Sequence, residues 1–358
     1  MPRKPASTET APKGASAKKN ARPEEVEAPA EGAATRPLGA VFTPAPDQTT
    51  HYRPLLQGRG TNQLSRVNAR KDAAVDPVTG EAVIRRGRNF TVFIEKFNHL
   101  TGGLRVSTHK LLDLCAMSLT GQNEYRGRGP LATRVEIHLD DYMRHCGIPM
   151  TKPSRDKTRL KVKEDLDALY HTSIEWQEPK NGKFRDFAKM RLITFQGIRN
   201  GRIMVNFSEE MAAYLTQAYI MQYPLALLAV SEKNPNAYAL GKRLIQHYSQ
   251  NRKRFQNGPG IISVRRLLEA APEIPGHEEV AQSGRQYDQR IKEPFEKALA
   301  ALPEILTWSY ARTLKESLSP QETAGLKYQE FRQLYIIFQP VKLPPDTAGP
   351  ESENTLKR

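Results

Sequence analysis

Apolar residues recur along this chain in two registers, every third or fourth position in some stretches and every second position in others. A helix is predicted over Thr108–Thr120. Ser107 is its N-cap, and its stripe is Leu111, Leu114, Cys115 and Leu119. A short helix follows over His138–His145 and stops at Gly147-Ile148-Pro149. Met150–Arg155 reads as a polar connector. The helix Asp156–Tyr170 points Val162, Leu166, Leu169 and the stem of Arg159 inward, and carries Lys157, Lys161 and Lys163 on its other face. Then come a strand, Thr172–Gln177, a hairpin turn at Lys180-Asn181-Gly182-Lys183 and a long returning strand, Phe184–Gly197. A second turn, Arg199-Asn200-Gly201-Arg202, leads to the strand Ile203–Phe207.

The pattern is then written again. Ser208, Glu209 and Glu210 open a helix that breaks at Pro224. Asn234-Pro235 starts a helix over Asn236–Gln250, with Tyr238, Gly241, Leu244, Ile245 and Tyr248 on one face, matching Thr108–Thr120. Ser263–Ala270 reads as a short helix and Tyr287–Leu302 as a longer one. A strand around Trp308 and a last strand, Leu334–Phe338, follow. Each copy gives a short helix, a turn, a longer helix and a strand with Trp. Trp176 and Trp308 read as core plugs. This order is that of a winged helix-turn-helix. The fold class is therefore α+β, two winged helix-turn-helix domains in tandem, over 89–207 and 208–340. Residues 1–88 are rich in Ala, Pro, Lys, Glu, Thr and Gly and are expected to be a disordered basic leader, with short structure near His51–Asn68. The tail 341–358 is expected to be disordered as well, and the prolines from Pro340 onward forbid helix there.

Charge narrows the partner. The chain has 358 residues and a net charge of +15. Residues 1–88 hold 15 Lys/Arg and 9 Asp/Glu, so most of the excess lies in the folded part. Nucleic acid is the leading partner and an anionic membrane surface the lesser one. The two cysteines, Cys115 and Cys146, sit in apolar helical stretches and read as buried small hydrophobes of a reducing compartment. No Cys/His spacing suits zinc. No stretch approaches the roughly 20 apolar residues of a membrane span, and the N-terminus has no apolar core of a secretory signal. The expected location is the bacterial cytoplasm, with the nucleoid or a plasmid.

Arg290-Ile291-Lys292-Glu293-Pro294-Phe295, followed by Leu299 and Trp308, resembles the second half of the tandem winged-helix plasmid replication initiators, the Rep family. In that family a long helix carries a basic residue, then Val or Ile, two further residues and Pro, and ends in a strand with aromatics. Leu244 and Tyr248 fit its opening helix. The resemblance spans about 89–340 as architecture. It implies binding to origin repeats on double-stranded DNA, a homodimer as one state, and recruitment of a host initiator and the replicative helicase.

A recognition helix sends its N-terminal and outward side chains into the major groove. In the first domain the outward set is Lys152, Ser154, Arg155, Lys157, Thr158 and Lys161. In the second it is Ser283, Arg285, Gln286, Gln289, Arg290 and Lys292, a set richer in base-reading types. Lys180, Lys183 and Arg185 would form a wing tip on the backbone or minor groove. Arg252, Lys253 and Arg254 end a helix, where they suit phosphates or the helix dipole equally. Arg85, Arg86 and Arg88 are a phosphate arm or a linker.

Enzymatic readings find little support. A nickase would need a His-hydrophobic-His pair, and Ile137-His138-Leu139 supplies one histidine. No phosphate loop, Ser-centred elbow or HExxH occurs. No catalytic residue, cofactor or metal is expected. Two alternatives to initiation stay open: a transcription repressor of a mobile element, and a chromosome-organising protein without sequence preference.

Overall fold

A computed structural model describes residues 51–341 apart from 58, 65–66, 68–71, 87–88, 101–103, 124–129, 181–182, 217–218, 283–285 and 314–315. For 57, 59, 86, 177–180, 183–187, 282 and 320 the backbone alone is described. The expected disorder of 1–50 and 342–358 lies outside these residues. Strand β1 (Tyr52–Gln57) and helix α1 (Arg59–Leu64) open the described chain, followed by β2 (Ala74–Val75), β3 (Ala82–Arg86) and β4 (Phe90–Ile94). Within 51–88 short structure was expected near His51–Asn68, and β1 and α1 lie there; the expectation of disorder beyond it is corrected by β2 and β3. The β2–β3 turn is made by Asp76, whose Oδ1 accepts from the backbone of Val78 at 2.7 Å and Thr79 at 3.1 Å. Leu55 and Ile84 are fully buried, so this segment is core.

The first winged helix follows. Helix α2 (Val106–Gln122) leads to β5 (Arg134–His138), α3 (Leu139–His145) and α4 (Lys152–Tyr170). Helix α4 begins within the expected connector. The Thr151 side chain caps it by accepting from the Ser154 N–H, and Pro153 sits in its first turn, where no N–H is needed. Next come β6 (Thr172–Lys180), β7 (Lys183–Arg191), β8 (Ile193–Arg199) and β9 (Arg202–Phe207). The long strand expected over Phe184–Gly197 is thus two strands in two sheets. Leu192 is the break: its side chain is fully buried, and its N–H bonds back to the Thr172 carbonyl. Strands β6 and β7 extend the sheet β2-β3-β4-β6-β7, while β5-β9-β8 forms a separate antiparallel sheet.

Helix α5 (Glu209–Thr216) runs into β10 (Tyr219–Pro224), where a broken helix was expected. Strand β10 pairs antiparallel with β1 over six residues. This strand pair clasps the chain together. The Leu56 N–H donates to Thr120 Oγ1 of α2 at 3.1 Å, and the Tyr52 hydroxyl donates to the Val341 carbonyl at the far end of the second module.

The second module is built from α6 (Ala226–Ala229), α7 (Pro235–Phe255), β11 (Gly260–Ser263), α8 (Val264–Leu268) and α9 (His277–Gln282). A π-turn over Asp288–Lys292 runs into α10 (Glu293–Ala300). The chain ends with β12 (Leu306–Thr313), β13 (Glu316–Leu318), α11 (Pro320–Thr323), α12 (Tyr328–Gln333) and β14 (Tyr335–Pro340). The π-turn has a local cause: Pro294 has no N–H for the Arg290 carbonyl, and its ring would crowd that oxygen in a regular helix. Helix α7 passes so close to its neighbours that a Cβ on Gly241 would lie 2.8 Å from Leu227 Cδ1. Only glycine fits there without movement.

The second sheet runs β11-β14-β12-β13. Its first three strands repeat the β5-β9-β8 order, in the same sequence of first, last and middle strand. The repeat is therefore real, but it aligns differently from the Trp pattern. Trp308 lies on β12, whose counterpart is β8. Trp176 lies on the inserted β6, where it is half-buried against Tyr214, with ring centroids 4.7 Å apart.

Leu55 tests whether the leader strand belongs to the core. Leu55→Ala is expected to cost about 2–5 kcal/mol of stability, read as a lower urea midpoint with the slope unchanged. A loss under about 0.5 kcal/mol, the range of ordinary surface substitutions, would place β1 outside the cooperative fold.

Candidate nucleic-acid interface

Helix α4 is held from behind by a buried carboxylate. Asp165 is fully buried and accepts from Ser107 Oγ at 2.9 Å, Thr108 Oγ1 at 2.7 Å and Arg105 at 3.0 Å, all at the start of α2. Burial pushes the Asp165 carboxyl up, against the pull of these donors. Val162, Leu166 and Leu169 pack beside it. The opposite side of α4 faces solvent.

The sequence-predicted outward set divides on this helix. Lys152 and Lys157 are exposed, as is Lys163, and none forms an ion pair with another described residue. Arg155 is half-buried and bridges to Asp140 of α3 at 2.9 Å, linking the two helices. Lys161 pairs with Glu232, in the segment leading to α7. Ser154 bonds to Thr151 Oγ1 at 2.9 Å within the cap. Thr158 is not outward: it is 4% exposed, on the Val162 side of the helix.

The wing of this module is the β8–β9 hairpin. Its turn has Asn200 at φ 50° and Gly201 at φ 71°, the left-handed pair that a tight two-residue hairpin needs. The Gly201 carbonyl accepts from the Leu139 N–H at 2.8 Å, so the wing is tied to the start of α3. Arg199 and Arg202 flank the turn; Arg202 reaches Glu136 at 3.3 Å. The hairpin carrying Lys180, Lys183 and Arg185 belongs to the other sheet, and the side chains of these three lie outside the described residues. The expected wing is thus an insertion, and the wing arginines went unmarked. Their only signal was the Arg-Asn-Gly-Arg turn.

In the second module Gln286, Gln289 and Arg290 are exposed along the start of the recognition segment. Ser283 and Arg285 lie outside the described residues. Lys292 is not outward: it is 9% exposed, and its Nζ donates to the Thr323 carbonyl at 2.6 Å. It pins the helix to the insertion between β13 and β14. A cleft of about 710 Å³ opens beside it, lined by Glu296, Trp308 and Tyr310 among others. There the Tyr310 hydroxyl donates to Glu296 at 3.1 Å. Arg252 is half-buried and donates to Asn257 Oδ1 at 2.9 Å, whereas Lys253 and Arg254 are exposed at the end of α7. Arg85 is exposed at the end of β3; the side chain of Arg86 and all of Arg88 lie outside the described residues.

The two modules meet through their opening helices. Asp113 of α2 is buried and accepts from Lys242 Nζ at 2.5 Å and from the Tyr238 hydroxyl, both on α7. Lys110 of α2 donates to the Val230 carbonyl at 2.5 Å. His109, also buried, is held down to about 3 by burial and by the Lys242 ammonium.

Residues 94–234 match the family model of the Initiator Replication protein, WH1. This stretch is thus similar to the WH1 domain of replication initiators. It begins on β4 and runs through the wing and β10 to the cap of α7, so it includes the inserted β6–β7 hairpin. None of the curated proteins compared with the chain matches it. Among solved structures it is similar to domains 2 and 3 of RctB, at 10% identity and a TM-score of 0.41, over 79% of this chain and 99% of that one. It is also similar to the Pi initiator protein in complex with iteron DNA, at 14% identity and a TM-score of 0.44, over 72% of this chain and 99% of that one. No described helix is long and apolar enough to cross a membrane.

Two measurements address the module contact. Asp113→Ala leaves the Lys242 ammonium buried without its carboxylate, and is expected to cost roughly 3–5 kcal/mol. The double variant with Lys242→Met is expected to recover much of that loss; no recovery would mean that the pair is not the source of the cost. His109 is neutral in the fold and takes up a proton on unfolding near its ordinary value of about 6.5. Its contribution is therefore complete above about pH 6.5 and is lost as the pH falls toward 3. His109→Leu is expected to flatten stability against pH in that window.

Proposed function

We infer that this chain is a replication initiator of a plasmid or mobile element that binds repeated origin sites on duplex DNA through both modules. The observation that carries the reading is the combination of the WH1 match over 94–234 with a second sheet in the same strand order. In each module a helix with outward cations or amides stands beside that sheet. We propose that the first module runs through β10, with residues 51–88 built onto it by the β1–β10 pair, and that the second begins with α6. Two groove-binding modules in one chain raise affinity through effective concentration.

The DNA-contacting residues we propose are, in the first module, Lys152, Lys157 and the wing arginines Arg199 and Arg202. In the second they are Gln286, Gln289 and Arg290, together with Ser283 and Arg285. Lys180, Lys183 and Arg185 are proposed as further contacts. Lys253 and Arg254 reach phosphates from the end of α7. Ser154, Arg155, Lys161 and Arg252 shape this surface through bonds within the protein, and Thr158 and Lys292 support it from inside. The chain works without catalysis of its own. It opens and fills the origin in the bacterial cytoplasm with a host initiator and the replicative helicase, and a homodimer is its second state.

Binding to duplexes enriched from a random pool separates the contact types. Arg290→Ala and Gln286→Ala are expected to weaken the enriched duplex by about 1–3 kcal/mol while changing random duplex less. Lys157→Ala is expected to lower the slope of log affinity against log salt by about 1. Equal losses on both duplexes for Arg290→Ala would move it to the phosphate class. Replication itself is tested by a selectable circle whose only origin is this gene with its flanking DNA. Maintenance in a suitable host is expected, and its consistent failure there would contradict initiation.

A further inference from the structure

Leu160 stands at the centre of the solvent face of α4 and is 66% exposed, more than any other large hydrophobic within a described helix or strand. At 100° per residue, Lys157 and Glu164 lie within about 60° of it on one side, and Asp156 and Lys163 within about 60° on the other. The buried positions Thr158, Val162 and Leu169 lie on the opposite side.

The charged neighbours divide into committed and uncommitted groups. Asp156 is paired with Arg159 at 3.1 Å, and Glu164 with Arg105 at 3.0 Å. Arg155 is held by Asp140, and Lys161 by Glu232. Along the middle of this face that leaves Lys157, Lys163 and the leucine itself uncommitted among the described residues. Lysine reaches phosphates or guanine edges, but a leucine offers an approaching duplex only an apolar contact. The one apolar group on a major-groove edge is the thymine C5-methyl.

We propose that Leu160 is a specificity-determining residue that reads thymine methyl groups in the major groove, between the phosphate grips of Lys157 and Lys163. The proposal rests on the duplex-binding reading above. It assigns to the first module a choice for thymine that its lysines, which reach phosphates or guanine edges, do not supply. It gives an exposed apolar side chain among charged neighbours a partner: the leucine and the methyl group both leave water on binding.

The test uses the full chain and duplexes enriched from a random pool, each made once with thymine and once with uracil in its place. Uracil lacks the methyl and keeps the pairing. Wild type is expected to bind the uracil form about fourfold more weakly for each contacted thymine, the worth of one buried methyl-sized group. Leu160→Ala, at an exposed position, is expected to bind both forms alike and to keep the wild-type salt slope. Lys157→Ala is expected to keep the thymine preference and lose salt slope. If wild type shows no thymine preference, or Leu160→Ala shows the same preference as wild type, the proposal is overturned while the duplex-binding reading stands. If no duplex is enriched at all, both fall together.

Discussion

The ion pair between Asp113 and Lys242, with the Tyr238 hydroxyl on the same carboxylate, is the constraint on which the arrangement of the two modules depends. It joins the opening helices of the two winged helices inside a core of apolar residues. A buried pair of this kind adds little net stability over apolar packing, because both charges lose their water. What it enforces is register. Sliding α2 along α7 by one turn would separate the charges and leave each unpaired in a dry environment, at several kcal/mol. The apolar contacts around it tolerate such a slide far better. The β1–β10 clasp acts in the same sense, since Tyr52 reaches the end of β14 while Leu56 is tied to α2.

With the modules fixed, the surface follows from which cations the protein uses for itself. Arg155 links α4 to α3, Lys161 links α4 to the segment before α7, and Lys292 links the π-turn to the segment between β13 and β14. These basic residues are structural even though their spacing matches a DNA-binding face. Those that remain uncommitted are fewer and lie along narrower stripes. Under the proposed function, net charge would bring the chain to a polyanion and the uncommitted residues would make the contacts.

Much of this was legible in the chain. The cap-and-proline signal at Asn234-Pro235 marked α7, and the apolar stripes of α2 and α4 marked their inward faces. The Asn-Gly pair at 200–201 marked the β8–β9 turn. Three features resisted. The leader strand β1 is short and carries Pro54, and its pairing with β10 lies far away in sequence, so no local periodicity reports it. The break at Leu192 is invisible because an apolar residue in an alternating run reads as more strand. The inserted β6–β7 hairpin therefore took the place of the wing. Thr158 and Lys292 were misplaced for a simpler reason. Polar residues near the edge of a helix stripe turn inward when a partner waits there, as Thr323 does for Lys292, and that partner is supplied by another part of the chain.

The central claim is that two modules, locked at a fixed offset, meet one duplex in two grooves. Hydroxyl-radical footprinting of the full chain on an enriched duplex tests it most directly. The account predicts two protected segments on one face of the DNA, at a constant separation across different enriched sequences. A single protected segment, or a separation that varies from one duplex to the next, would contradict it.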